Sequence, residues 1–303
     1  MSEAAKGFWA MVLASTVWGL SALYYKALAM VPPLEVLAHR TLWTLVFFGL
    51  VLAVQGRLGA MRQALSGRAA LWVVFSAVMI SVNWFIFIRA VQQGQAVEAS
   101  LGYYIFPLLL VVVGAVIFRE RVGLLKGLAV ALATLAVVVL TWGLGATPWI
   151  ALILATSFGL YGVIKRQVAA GPVVSVAVEV LLLAPFALAY LAAAHSGNLP
   201  GFLHDGQIGG YFGTSLPISV ELAFSGILTG GPLILFSYAT RRVALATVGL
   251  VQYVNPTLQF LCAALLFHEP VTGWHILALG LIWLGLALYS YASLRRVPPA
   301  VPV

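Results

Sequence analysis

Two stretches of the chain, 149 residues apart, decide the fold: Leu101-Gly102-Tyr103-Tyr104-Ile105-Phe106-Pro107 and Leu250-Val251-Gln252-Tyr253-Val254-Asn255-Pro256. Both carry Leu-x-x-Tyr-x-x-Pro, and both are followed by Phe-x-Glu-x-Val, as Phe118, Glu120 and Val122 and as Phe267, Glu269 and Val271. Ala90/Ala239, Leu109/Leu258 and Leu128/Leu277 fall at the same offset. Leucine and alanine matches are cheap in an apolar chain, but Tyr-x-x-Pro and Phe-x-Glu-x-Val at one fixed spacing are not. Upstream, Trp9/Trp149, Thr16/Thr156, Gly19/Gly159 and Leu20/Leu160 match at an offset of 140, with Lys26 falling on Arg166. The nine-residue growth between the two offsets is absorbed in the long polar segment of roughly 195–217. The chain is therefore read as an internal duplication, with repeats at 1–145 and 146–303.

Composition says where the repeats reside. Of 303 residues, 63% are hydrophobic and 8% charged, at a mean hydropathy of +1.06; soluble domains carry roughly 25% charged residues. A soluble globular fold is excluded. Apolar runs of spanning length, about 20 residues each, fall at 8–30, 34–54, 70–92, 96–118, 124–143, 147–166, 173–193, 218–240, 244–267 and 272–293. The fold class expected is an all-α polytopic membrane protein with ten transmembrane helices. Five spans per repeat is an odd number, so the second repeat enters the bilayer from the opposite side. Inverted repeats of this kind are characteristic of transporters, where two exchangeable conformations open one central site to either side in turn.

The net charge of +8 is explained by topology rather than by nucleic acid. Lys6, Arg57/Arg62/Arg68, Arg119/Arg121/Lys126, Lys165/Arg166, Arg241/Arg242 and Arg295/Arg296 occupy the N-terminus, every second loop and the C-terminus. Because cytoplasmic loops carry the excess of Lys and Arg, both termini are expected in the cytoplasm and the first helix is expected to be retained. Lys26, Arg40 and Arg89 stand outside this pattern. The single cysteine, Cys262, excludes a disulfide framework or a Cys-x-x-Cys site.

Ionisable and polar groups at membrane depth are functional by default. Pro107 and Pro256, and Pro232 after Gly230-Gly231, are expected to break their helices and free backbone carbonyls, beside Tyr103, Tyr104, Gln252, Tyr253 and Asn255. Asn83-Trp84 lies at the position equivalent to Pro232. In the second span, His39 and Arg40 fall roughly 8–10 Å inside the helix start at about 1.5 Å per residue, and Glu35, His39 and Trp43 share one face. Arg40 can hold a substrate carboxylate or pair with an acid such as Glu98, while Glu35 and His39 can carry a coupling proton. Lys26 and Arg89 read as snorkelling ends, Glu179 as a partner for a base or a proton carrier, and Glu120 and Glu269 as helix caps.

No GxSxG, HExxH, GxGxxG after a strand or P-loop occurs, and the five histidines are scattered. Neither an enzyme, a metal site nor a cofactor is expected. Trp18-Gly19, Pro32-Pro33-Leu34-Glu35 with His39-Arg40 and Trp43, Asn83-Trp84, and Gly249-Leu250-x-Gln252-Tyr253-x-Asn255-Pro256-Thr257-x-Gln259-Phe260 resemble the RarD-like branch of the EamA-type drug/metabolite transporter superfamily, over nearly the whole chain. The resemblance implies a ten-helix inverted-repeat fold with spans 1–4 and 6–9 around a central cavity, spans 5 and 10 peripheral, and export of small metabolites.

The expected protein is thus a multi-pass bacterial inner-membrane secondary transporter, moving a small amphiphilic metabolite such as an amino acid by alternating access. Its substrate contacts would come from Trp18, Tyr24, His39, Arg40, Trp43, Asn83, Trp84, Tyr103, Tyr104, Gln252, Tyr253 and Asn255, with Arg40 as the anion-binding group and aromatic walls able to take a cation. The alternatives are efflux of cationic amphiphiles or drugs, facilitated uptake, and flipping of a lipid precursor.

Overall fold

The computed structural model describes residues 1–65, 69–117, 119, 123–165, 167–168, 170–197, 209–243 and 245–294. Among them every regular element is a helix: α1 (Glu3–Ala27), α2 (Pro33–Val54), the short α3 (Gly59–Ala64), α4 (Ala69–Gln92), α5 (Ala96–Ile117), α6 (Leu124–Leu144), α7 (Trp149–Lys165), α8 (Pro172–His195), α9 (Leu216–Thr240), α10 (Leu245–Gln252), α11 (Val254–Leu261) with a π-helical turn at Cys262–Leu266, and α12 (Gly273–Leu294). Their starts follow from local chemistry. The Ser2 and Ser215 hydroxyls accept from the Ala5 and Ile218 amides, and Pro33 and Pro172 open α2 and α8, where a missing N–H costs nothing.

Nine helices among the described residues are long and apolar enough to cross a membrane. The span expected at 147–166 is α7, only 17 residues long, about 25 Å at 1.5 Å per residue against a hydrocarbon core of roughly 30 Å. Large apolar side chains such as Leu50, Phe75, Trp142, Phe186 and Trp283 point outward, as a lipid-facing surface requires. The chain is a multi-pass membrane protein.

The two repeats exchange neighbours. The first helix of each repeat packs on the later helices of the other, α1 on α9 and α11, α7 on α4 and α5, while α2 lies against α8 and α6 against α12. The duplicated pairs meet crosswise: a Cβ on Gly19 would lie 2.7 Å from Leu258 Cβ, and one on Gly159 would lie 3.1 Å from Leu109 Cδ2. Gly19 matches Gly159 and Leu109 matches Leu258, so this crossing is what a pseudo-twofold axis between the repeats produces. The α6/α12 pair stands to one side, joined to the bundle through α5 and α10. The symmetry is incomplete at one pair of mates: α2 lies along α9 over a long seam, whereas the equivalent seam of α4 on α8 is much sparser.

Three expected breaks are corrected here. Helices α5 and α9 run helical through Pro107 and Pro232, because a single missing donor is tolerated where neighbouring helices re-satisfy the freed carbonyl, and α4 runs on through Asn83-Trp84, where no backbone donor is missing. The break that does occur near Pro256 falls at Tyr253, between α10 and α11. Pro256 then sits in the first turn of the new helix, the position proline favours, and the Tyr253 carbonyl accepts from the Thr257 hydroxyl at 2.7 Å.

Candidate substrate-binding site

Arg40 is the centre of the site. Seven residues beyond Pro33 on α2, it is 7% exposed and reaches across to both α1 and α4. Its Nη1 donates to Tyr25 Oη at 2.7 Å, and its guanidinium lies 4.0 Å from the Trp84 ring centre and 5.7 Å from that of Tyr25. The Nε atom is buried with no hydrogen-bond partner, and among the described residues no carboxylate pairs with Arg40. Glu98, a possible partner from sequence, instead accepts from the Ile150 amide at 2.9 Å, capping α7. A buried guanidinium whose charge is met only by ring faces and a neutral hydroxyl retains its capacity for an anion.

An aromatic chain leads from Arg40 toward the other end of the bundle. Tyr25 meets Phe87 edge-on at 5.8 Å, Phe87 meets Tyr103 at 5.6 Å, and Tyr103 meets Phe158 at 5.8 Å. Tyr103 Oη donates to Asn83 Oδ1 at 2.8 Å, and the Asn83 amide donates to the Leu154 carbonyl and Ser157 Oγ, each at 3.1 Å. Asn83 is thereby fixed by α7 and orients Tyr103. More buried polar atoms lack partners on the facing helices, namely Ser15 Oγ on α1, Thr44 Oγ1 one turn beyond Arg40 on α2, and Gln259 Oε1 on α11.

Of the residues expected at the site, Arg40, Asn83, Trp84 and Tyr103 are therefore joined in one network. Tyr24 sits beside Tyr25 but donates to the Glu221 carbonyl of α9 at 2.7 Å. Trp18 faces Phe236 at 6.0 Å. Tyr104 turns away from Tyr103, its hydroxyl 2.6 Å from Thr257 Oγ1 and its ring 6.3 Å from Trp283. Tyr253 packs in the same apolar cluster as α6 and α12. Gln252 is half-buried at the end of α10, and Asn255 Oδ1 accepts from Gln259 at 2.9 Å.

His39, Trp43 and Glu35 form a separate group. The His39 ring stacks on Phe212 at 4.8 Å, and Trp43 lies 6.2 Å from the same ring. Glu35, 0% exposed, accepts from the Gly210 and Tyr211 amides at 2.8 and 2.7 Å, and no ion pair joins it to His39 among the described residues. The segment before α9 is thus pinned into the mouth between α2 and α8. A Cβ on Gly209 would come within 3.0 Å of Glu35 Oε2, which is why glycine stands there. Glu269 does cap a helix, but a distant one: it accepts from the Ala96 and Val97 amides at the start of α5, at 2.9 and 2.8 Å. Lys26 lies 5.5 Å from the Phe267 ring and Arg89 donates to Gln93. Phe118, Glu120, Arg121, Val122, Arg68, Arg166, Arg295 and Arg296 lie outside the described residues.

Sequence reasoning missed Tyr25, Phe87 and Phe158. A signal for Tyr25 was present: Gly7, Met11, Ala14, Ala22 and Tyr25 share the buried face of α1, a helical spacing that selects Tyr25 over Tyr24.

The comparisons with known proteins agree with this architecture. The profile of the EamA-like transporter family matches residues 5–142 and again 147–291. An uncharacterized transporter of Pseudomonas aeruginosa is 37% identical over 97% of this chain and 97% of its own. The uncharacterized transporter YojE of Bacillus subtilis is 34% identical over 97% and 96%, and the protein RarD of Escherichia coli is 33% identical over 90% of both chains. One solved crystal structure superposes with a TM-score of 0.61 at 20% identity, covering 97% of this chain and 99% of that one, a likeness of fold. The crosswise repeats and these matches make the chain a member of the EamA-like transporter family, on its RarD-like branch.

Proposed function

We propose that this transporter moves small amphiphilic metabolites bearing a carboxylate, amino acids or related compounds, outward across the bacterial inner membrane by alternating access. The observation that carries the reading is Arg40, a buried cation with a free Nε and, among the described residues, no acidic partner, walled by Tyr25, Trp84 and, further on, Tyr103. A carboxylate takes the open side of the guanidinium, and the apolar part of the substrate lies along the rings of Phe87, Tyr103 and Phe158. The basic loops support an arrangement with both termini in the cytoplasm. In that arrangement α7 completes ten crossings, and the segment pinned by Glu35 closes the periplasmic mouth.

The test is ligand-induced thermal stabilisation of the purified protein against amino acids, amines, quaternary ammonium compounds and amphiphilic drugs. A ligand at a hundred times its Kd stabilises by about 2.7 kcal/mol. Carboxylate-bearing compounds are expected to stabilise the wild type and to lose that effect in Arg40→Met. If cationic aromatics alone stabilise, and Arg40→Met is indifferent, the aromatic chain is a cation site and the carboxylate reading falls.

A further inference from the structure

A second buried charge lies at the far end of the aromatic chain. Glu179 on α8 is 0% exposed, and four donors converge on its carboxylate. Lys165 Nζ, at the end of α7, is 2.5 Å from Oε1, Tyr161 Oη donates to Oε2 at 3.2 Å, Ser175 Oγ lies 3.4 Å from Oε1, and Ser76 Oγ of α4 also donates to Oε1. Lys165 bonds Ser175 as well, and its side chain is 20% exposed, which gives the cluster a route to water. Around it α2 offers Phe48 and Leu52, α4 Val73 and Ile80, α9 Leu233 and Ile234, and α3 Met61, all apolar, while Arg62 of α3 is exposed. Lys165 and Tyr161 are thus the titratable groups that touch Glu179 among the described residues.

Two features of its placement exceed what a structural ion pair needs. Glu179 stands seven residues beyond Pro172, and at the 140-residue offset of the early helices it falls on His39, the neighbour of Arg40, so the equivalent helices of the two repeats carry ionisable groups at matching depth. Its bond to Ser76 also crosses from α8 to α4, the sparse seam whose symmetry mate, α2 on α9, is extensively packed. A polar tie spans the less tightly closed of two equivalent seams, which is where an alternating-access bundle parts.

We propose that Glu179 is the proton-binding site that couples transport to the proton gradient, with Lys165 as its built-in counter-ion; this rests on the transporter reading above. One proton from water adds to a carboxylate oxygen and gives a neutral carboxyl, while Lys165 keeps its own proton. The four converging donors then lose their charge-assisted acceptor. The new O–H needs an acceptor that an ammonium cannot provide, so a hydroxyl must turn to receive it. Lys165 swings toward water, the Ser76 tie weakens, and the α4–α8 seam is free to open. Loss of the proton restores the pair. A sodium ion would have to evict Lys165 from the same oxygens.

The experiment uses the full chain in liposomes, with two readouts. Infrared difference spectra between mildly acidic and mildly basic pH are expected to show a titrating carboxyl band in the wild type and in Glu98→Gln, and to lose it in Glu179→Gln. With radiolabelled L-tryptophan as the probe, Glu179→Gln is expected to keep exchange in the absence of a gradient and to lose accumulation driven by an imposed pH gradient. If Glu179→Gln does not insert, the doubly neutral Glu179→Gln/Lys165→Met carries the same expectation. A carboxyl band that survives loss of Glu179, accumulation that persists, or accumulation driven by sodium in place of protons overturns the proposal. Absence of L-tryptophan exchange in the wild type counts against the carboxylate reading instead, and the infrared band then decides on Glu179 alone.

Discussion

Replacing Arg40 by methionine separates a binding cation from a structural one, because the two roles predict opposite balances. In the ligand-free protein, an arginine about 10 Å inside a spanning helix costs at most the roughly 2.5–3.5 kcal/mol that insertion scales give at the helix centre. Against that stand the charge-assisted bond to Tyr25, 2.7 Å long and worth about 1.5–3 kcal/mol, and the contact with Trp84 at 4.0 Å, worth up to about 2 kcal/mol when desolvated. These terms cancel to within about 2 kcal/mol, so Arg40→Met is expected to melt close to the wild type. Binding behaves differently. A carboxylate on the guanidinium gains about 4 kcal/mol at 4 Å with an effective dielectric of about 20, of which about 1.5–3 kcal/mol survives desolvation as a charge-assisted hydrogen bond. The expected loss is roughly 10- to 150-fold in Kd for L-tryptophan, and none for tryptamine, which lacks the carboxylate. Titration calorimetry of both compounds against both proteins is the assay. Equal weakening of the two ligands, or a ligand-free variant destabilised by more than about 4 kcal/mol, refutes the assignment of Arg40 as an anion site.

Three further outcomes follow from the packing. Glu35→Gln leaves one acceptor oxygen for two buried amides and should raise hydrogen exchange at Gly210 and Tyr211 by about 1–3 kcal/mol of local protection; unchanged exchange there would show that the carboxylate does not hold the segment. Gly226→Ala brings a Cβ to 2.4 Å from the Trp43 carbonyl oxygen, while at Gly231 nothing lies within 4 Å. Thermal melts should show the first losing about 1–3 kcal/mol and the second gaining about 0.5–1 kcal/mol, and equal behaviour would contradict the close α2–α9 seam. Glu269→Gln withdraws the charge that caps the Ala96 and Val97 amides across 172 positions of chain, and should cost about 1–2 kcal/mol, read as a lower melting temperature.

How much was legible in the sequence differs between the fold and the site. Apolar runs and repeated motifs define the spans and the duplication directly, because membrane depth imposes length and composition on each segment. They do not define what a side chain faces. Tyr103 and Tyr104 are adjacent and look alike in sequence, yet one joins Asn83 and the other Thr257, since neighbours on a helix point about 100° apart. Glu98 and Glu269 look like free acids or local caps, and only tertiary packing shows that each caps a helix far away in the chain. The prolines mislead for a related reason: what a missing donor does depends on its neighbours in space. Arg40 was legible because a charge at membrane depth has few bland explanations. Lys165 was hidden, because the basic-loop pattern already accounted for it.

The crosswise packing also has a consequence for synthesis. The most extensive contacts of α1 are with α9 and α11, which leave the ribosome about 200 residues later; at roughly 5–20 residues per second that is about 10–40 s. For that time Gly19 has no Leu258 to receive, and Arg40 sits in a half-built bundle beside lipid or the insertion machinery. The first repeat is therefore inserted as an incomplete surface, and the chain acquires a finished interior only when its last helices arrive.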